Sequence, residues 1–243
     1  MGVFTEPDQM ESREWTALAA ADRFRSGRDQ IKSRDRVRNL AEVYTHEREV
    51  KAMLDLVEDM FPSAEDPDKL DRTFLEPACG HGNFLVEILQ RKLRHVTRRR
   101  YGAGEHFEHR MLRGLASIYG VDICRDNIEE ARERMWSMIE AHVGAEVGRT
   151  GTTAGFTNAA EAILRTNVVL GDSLGGKTEV ELVEYLPGTG GTFLRTWSRL
   201  DLAGNEPAVQ PLMRRCDTAP LHYSELAETP GPVKVNDVDE KAA

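Results

Sequence analysis

The 243-residue sequence contains only three cysteines, Cys79, Cys124 and Cys216, and they form no CxxC pair. This scarcity argues against a disulfide framework and a zinc cluster, and it fits a reducing compartment. No stretch approaches the roughly 20 consecutive apolar residues that a membrane-spanning helix requires. The first residues also lack the basic start and apolar run of a secretory signal. We therefore expect a cytoplasmic protein with no membrane partner. We expect no metal site either, because His106 and His109 have no further ligand near them in sequence.

The sequence also lacks the excess of positive charge that a small DNA-coating protein usually carries. It has 32 basic and 41 acidic residues, for a formal net charge of −9. The charge is uneven, however, because residues 22–38 hold seven Lys or Arg against three Asp, and residues 91–100 hold six and no acid. Each basic segment is either a solvated helix face or a local phosphate-binding face.

Strand and helix patterns alternate through the middle of the chain. Three segments each predict a buried strand followed by a polar turn, namely RTFLEPACGHGN, LASIYGVDIC and TNVVLGDS. Alternation of this kind predicts an α/β fold with a parallel sheet. Residues 1–36 predict a charged helical arm, residues 37–201 the α/β domain, and residues 202–243 an irregular acidic tail. We also expect a mobile loop at 144–158 and a fourth strand in GTFLRTWSRLD.

Acidic residues follow each of the three predicted strands. Glu76 precedes a turn in which Gly80 and Gly82 allow close backbone approach to a ligand. Asp122 ends the second strand, where a carboxylate can accept both hydroxyls of a ribose. Asp172 follows the third strand and could accept a hydrogen bond from an adenine amino group. The three acids in this order indicate a site for an adenosine-type cofactor.

The segment LEPACGHGNFLVEIL resembles the first motif of the amino-group DNA methyltransferases, chiefly the adenine-N6 enzymes of restriction–modification systems. YGVDI and VVLGDSL resemble the second and third motifs. AEVYTHEREVKAMLDLV, ahead of them, resembles the cofactor-binding segment, and its position matches the gamma arrangement of the family. Glu76 and His81 depart from the usual first motif, and His46 stands where the family has proline after Tyr-Thr.

The resemblance implies a Rossmann-like class I methyltransferase sheet with S-adenosylmethionine as cofactor and adenine N6 of DNA as acceptor. Little sequence follows Asp201, so we expect this sheet to be incomplete at its C-terminal end. It places the glycines near the methionine part, Asp122 at the ribose, Asp172 at the adenine, and Tyr44 and Thr45 closing the pocket. The full set of expected cofactor-binding residues is Tyr44, Thr45, Glu76, Pro77, Ala78, Cys79, Gly80, Gly82, Asn83, Phe84, Asp122, Ile123, Asp172 and Ser173.

The family's catalytic Pro-Pro-aromatic motif is missing, because no Pro-Pro pair occurs anywhere in the chain. Trp197 is the nearest aromatic candidate for base stacking, but we expect it to pack in the core or an interface. No catalytic residue can therefore be assigned. The alternative function is a non-catalytic cofactor-binding subunit or inactive relative that needs a partner chain or a second copy.

A third interpretation comes from residues 171–178, GDSLGGKT, which match the phosphate-binding loop of nucleotide triphosphatases. In that interpretation Lys177 contacts the outer phosphates and Thr178 binds magnesium. It requires a helix immediately after the loop, and Glu179–Leu186 is the segment available.

Overall fold

The computed structural model describes residues 45–148, 151–174, 180–200 and 215–233. The chain divides into two compact units, Met1–His46 and Glu47–Ala243. The expected charged arm over residues 1–36 lies outside the described ranges. All the elements below belong to the second unit, whose first residue is ten positions after the predicted start of the α/β domain.

The second unit contains both helices and strands. The helices are α1 (Glu47–Asp55), α2 (Asn83–Leu93), α3 (Arg98–Tyr101), α4 (Glu105–Ala116), α5 (Arg125–Val147) and α6 (Ala154–Asn167). Short 3-10 turns occupy Glu58–Met60, Pro67–Asp71 and Tyr223–Glu225. The strands are β1 (Phe74–Glu76), β2 (Ile118–Asp122), β3 (Val168–Leu170), β4 (Glu181–Pro187), β5 (Thr192–Arg199), β6 (Arg215–Cys216) and β7 (Leu221–His222).

A three-stranded parallel sheet, ordered β1–β2–β3, confirms the predicted α/β class. Glu76 of β1 pairs with Gly120 of β2, which pairs with Val168 of β3. Gly120 lies against α2, because a Cβ there would come within 2.6 Å of Leu85 Cδ1. The apolar spacing of α2 explains its position, since Leu85, Ile88 and Leu89 recur at helical intervals and are all buried.

The start of an antiparallel hairpin of β4 and β5 packs against the other face of β2. Tyr119 and Val121 alternate with Gly120, so they point away from α2. They form a buried apolar cluster with Val180 and Leu182. The expected fourth strand therefore exists as β5, but it belongs to this second sheet and does not extend the parallel one.

The helix predicted at Glu179–Leu186 is wrong, because β4 occupies this segment. Val183 and Tyr185 are buried while Glu184 and Leu186 are exposed, and this alternation suits a strand with one face packed. Pairing along the whole length of β5 then decides the conformation. The phosphate-loop interpretation loses the helix whose backbone N–H groups it requires.

The mobile loop expected over residues 144–158 is also wrong where the structure describes it. Helix α5 continues through Gly144 to Val147, and α6 begins at Ala154. The Thr153 side chain caps α6 by accepting a 3.2 Å hydrogen bond from the backbone N–H of Phe156. A threonine-rich stretch can thus start a helix rather than form a loop.

The predicted irregular tail is ordered over residues 215–233. Strands β6 and β7 pair with β5, and four apolar side chains separated along the chain pack into the core. These are Leu221, Tyr223, Leu226 and Val233. The sequence of residues 215–233 shows no helical or strand periodicity of apolar residues. Single side chains anchor this segment to the core, rather than a continuous face of a helix or strand. Within the described ranges no helix is long and apolar enough to span a membrane.

Candidate functional site

The first turn leaves β1 at Glu76 and reaches α2 at Asn83. Gly80 and Gly82 have φ angles of 52° and 89°, which L-residues with side chains rarely adopt. Gly82 also permits a close helix contact, because a Cβ there would lie 2.9 Å from Ala131 Cβ. The two glycines that the sequence singled out are thus required by backbone conformation, and at Gly82 by packing as well.

Asp122 connects all three turns at the carboxyl edge of the parallel sheet. Its Oδ2 accepts a 2.9 Å hydrogen bond from the backbone N–H of Gly80 in the first turn. Its backbone oxygen accepts from Gly171 N in the third turn, also at 2.9 Å. Its Oδ1 accepts from Cys124 N at 2.8 Å and from Asn127 Nδ2 at 3.2 Å. The structure therefore brings Gly80, Asp122 and the start of the third turn together.

These bonds limit what the Asp122 carboxylate can offer a ligand. A carboxylate has about four lone-pair positions, and protein donors already occupy three of them. One position on Oδ2 remains, so Asp122 can accept one ligand hydroxyl in this arrangement. We expected this side chain to accept both ribose hydroxyls, but its bonds to protein donors leave room for one.

Glu76 has more acceptor capacity. Its carboxylate is half-buried and accepts a 3.4 Å hydrogen bond from the backbone N–H of Ala78. Burial raises the pKa of Glu76, and the Ala78 bond opposes this only in part. A partly desolvated carboxylate of this kind is stabilised by a cationic or strongly donating ligand.

The pKa of Cys79 reflects the negative charge at the carboxyl edge of the parallel sheet. The side chain is buried, and its pKa is raised to about 12 by burial and by the nearby Asp122 and Glu76 carboxylates. The thiol is therefore neutral at physiological pH and is not a nucleophile. The sulfur fills space under the turn, 3.2 Å from where a Cβ of Gly120 would stand.

The third turn adds Asp172 and Ser173, both partly exposed. Asp172 Oδ1 accepts a 3.0 Å hydrogen bond from Leu174 N, which leaves most of its acceptor capacity for other groups. Large apolar side chains are exposed beside the acids, with Ile123 54% and Leu174 84% accessible. Carboxylates next to exposed apolar side chains are suited to a ligand with both hydroxyl or ammonium donors and an apolar ring.

Arg134 also belongs to the candidate site, although its sequence context did not predict this. Its Nη1 donates to the backbone oxygen of His81 at 2.8 Å and to Asn83 Oδ1 at 2.9 Å. Through Arg134, helix α5 thus contacts and stabilises the first turn. The spacing of residues along α5 could have indicated this contact. Ala131 packs against Gly82, and Arg134 follows Ala131 by one helical turn.

The remaining expected residues fall into three groups. Pro77, Ala78 and Phe84 lie in the first turn or the first turn of α2. Tyr44 lies outside the described residues, and Thr45 belongs to the other compact unit.

Trp197 packs in the core as expected. It is 6% exposed, with the guanidinium of Arg195 4.8 Å and that of Arg215 5.8 Å from its ring centroid. Its ring is therefore covered by the protein itself. The described residues contain no group of three or more His, Cys, Asp or Glu side chains placed to hold a metal ion.

Comparison of the chain with protein-family models, curated proteins and solved structures finds no match.

Proposed function

We propose that the carboxyl edge of the parallel sheet binds S-adenosylmethionine and that the protein is a methyltransferase acting on adenine N6 in DNA. The single observation that supports the cofactor most directly is the hydrogen bond from Gly80 N to Asp122 Oδ2. It joins the two turns whose sequences resemble the first two motifs of the family. The DNA acceptor rests on that resemblance and on the basic segment 91–100.

The residues at this edge have the chemistry that such a cofactor needs. Glu76 would hold the methionine ammonium, because its half-buried carboxylate gains most from a cation. Asp122 would accept one ribose hydroxyl, and Asp172 would accept from the adenine amino group. The exposed Ile123 side chain offers an apolar surface to the base. When bound, S-adenosylmethionine supplies an electrophilic methyl group on a sulfonium.

Binding measurements test this assignment. Calorimetric titration should show S-adenosylmethionine binding and no binding of magnesium–ATP. Glu76→Gln should weaken the binding of S-adenosylmethionine about tenfold, equivalent to roughly 1.4 kcal/mol. The matched control is Glu129→Gln, an exposed acid in the first turns of α5, which should bind normally. Binding of magnesium–ATP alone, or equal affinity in both variants, would contradict the proposal.

A second candidate is a cofactor-binding subunit without catalytic activity of its own. Two observations favour it. The chain has no Pro-Pro motif, and within the described ranges no strand pairs with the free edge of β1. Incubating the purified chain with duplex DNA and labelled S-adenosylmethionine distinguishes the two candidates. Formation of methyl-adenine would eliminate the non-catalytic subunit, and cofactor binding without methyl transfer would favour it.

A further inference from the structure

The basic segment 91–100 separates into two parts with different environments. Arg91 is buried and is paired with Asp55, Glu58 and Glu87 at 2.8–2.9 Å. Lys92 is completely buried and donates to two backbone oxygens. Neither side chain can therefore contact a ligand at the surface.

The other four basic residues of the segment, Arg94, Arg98, Arg99 and Arg100, are all exposed. We call them the arginine patch. Among the described residues none of these four guanidinium groups forms an ion pair, and Arg100 Nη2 donates a 3.3 Å hydrogen bond to the backbone oxygen of Ala64. The charges of Arg94 and Arg100 both lower the pKa of His95, although burial of the ring is the larger cause. These two guanidinium groups are therefore close enough to act on the same ring.

The carboxylates nearby do not neutralise the arginine patch. Glu58 is paired with Arg91, and Asp68 is paired with Arg110 at 3.2 Å. Glu146 accepts from the backbone N–H of Arg98 at 2.6 Å, which leaves the guanidinium of that residue unpaired. The charge of Glu65 also acts on His95, but more weakly than the charges of Arg94 and Arg100 do.

The arginine patch lies at the amino edge of the parallel sheet. Helix α2 begins at the first glycine turn and ends at Leu93, so its 11 residues span about 16 Å. Near its far end, Lys92 Nζ donates to the backbone oxygens of Leu70 and Arg72, each at 2.7 Å, just before β1. The patch is therefore separate from the acidic carboxyl edge where the cofactor is proposed to bind.

We infer that the arginine patch binds the phosphate backbone of duplex DNA. Four guanidinium groups without a carboxylate partner, within seven residues, match closely spaced phosphates by charge and by bidentate geometry. A duplex fits better than a single strand, because single strands need aromatic rings free for base stacking. The aromatic ring beside the patch, Tyr101, is covered by Arg110 at 4.9 Å and Arg100 at 5.7 Å and contacts His106 edge-on. This inference does not depend on the proposed cofactor.

The test is fluorescence anisotropy with a labelled DNA duplex across a salt series, without cofactor. Four phosphate contacts predict a slope of log K against log salt of about −3.6 and a roughly 150-fold loss of affinity between 50 and 200 mM salt. Arg98→Gln/Arg99→Gln should reduce the slope to about −1.8. The control is Arg125→Gln/Arg165→Gln, which removes two exposed arginines elsewhere, one of them paired with Glu161 at 2.6 Å, and should leave the slope unchanged.

Several outcomes would overturn the inference. These are absence of duplex binding at 50 mM salt, an unchanged slope in Arg98→Gln/Arg99→Gln, and an equal effect in the control variant. Tighter binding to a single-stranded oligonucleotide or to vesicles of anionic lipid than to the duplex would assign the patch to another polyanion. All four substituted side chains are exposed, so circular dichroism should show native helix content in both variants.

Discussion

Replacing Asp217 by alanine should destabilise the protein more than any exposed charge change. The Asp217 side chain has 0% exposure and Arg195 has 2%. The carboxylate accepts from Arg195 Nε at 2.8 Å, Arg195 Nη2 at 3.1 Å, Arg195 N at 2.9 Å and Val233 N at 2.7 Å. Asp217→Ala leaves a buried guanidinium without its counter-charge and two backbone N–H groups without acceptors.

The expected loss is about 3–5 kcal/mol of the free energy of unfolding, the range for breaking a buried ion pair from one side. For a domain of this size that loss lowers Tm by about 6–20 °C. Urea unfolding followed by circular dichroism measures it directly. The matched control is Glu181→Ala, which breaks the exposed Arg215–Glu181 pair between β6 and β4. It should cost less than about 1 kcal/mol.

A double variant tests whether the broken ion pair causes the loss of stability. Arg195→Ala/Asp217→Ala removes both charges, so its loss should be smaller than the sum of the two single losses by about 0.5–3 kcal/mol. If the two single losses simply add, or if Asp217→Ala costs less than about 1 kcal/mol, the buried pair between Arg195 of β5 and Asp217 of the tail does not stabilise the fold in this way.

Two further predictions concern a glycine and a buried lysine. Gly82→Ala should lower stability by at least about 1–2 kcal/mol, because alanine is strained at a φ of 89° and its Cβ would meet Ala131; a thermal melt equal to that of the unmodified protein would contradict this. Burial lowers the pKa of Lys92 to about 7, well below the usual value of a lysine in an unfolded chain. The unfolded state therefore binds the extra proton between pH 7 and about pH 10, and stability should rise with pH over that window. Lys92→Met should remove this rise in urea unfolding measured from pH 7 to 10, and an unchanged slope would show that other groups cause it.

The sequence was most informative where structure depends on neighbours along the chain. The first glycine turn, β1 and α2 lie where they were predicted, because Gly80, Gly82 and the apolar spacing of α2 act locally. The three acids were also found at the carboxyl edge of one sheet. Parallel strands bring their carboxyl ends together, so this followed once the strands were recognised.

The sequence was least informative where distant partners decide the structure. The segment ELVEYLP is compatible with a helix until TFLRTWSR pairs with it across the β4–β5 turn. Asp217 looked like one acid in an irregular tail, because nothing near it in sequence shows that Arg195 is its partner. The same reason explains why the basic run 91–100 looked uniform, although burial at Arg91 and Lys92 depends on carboxylates and backbone oxygens from other segments.

The ion pair between Arg195 and Asp217 has a consequence for synthesis on the ribosome. Arg195 also donates to the backbone oxygen of Gly231, which is translated 36 residues later. At a synthesis rate of roughly 5–20 residues per second, Gly231 is added about 2–7 s after Arg195. During that interval Phe193 and Trp197, both buried in the finished protein, lack the tail that covers them. These two aromatic side chains are therefore uncovered during that part of synthesis, and slow codons between these positions would prolong their exposure.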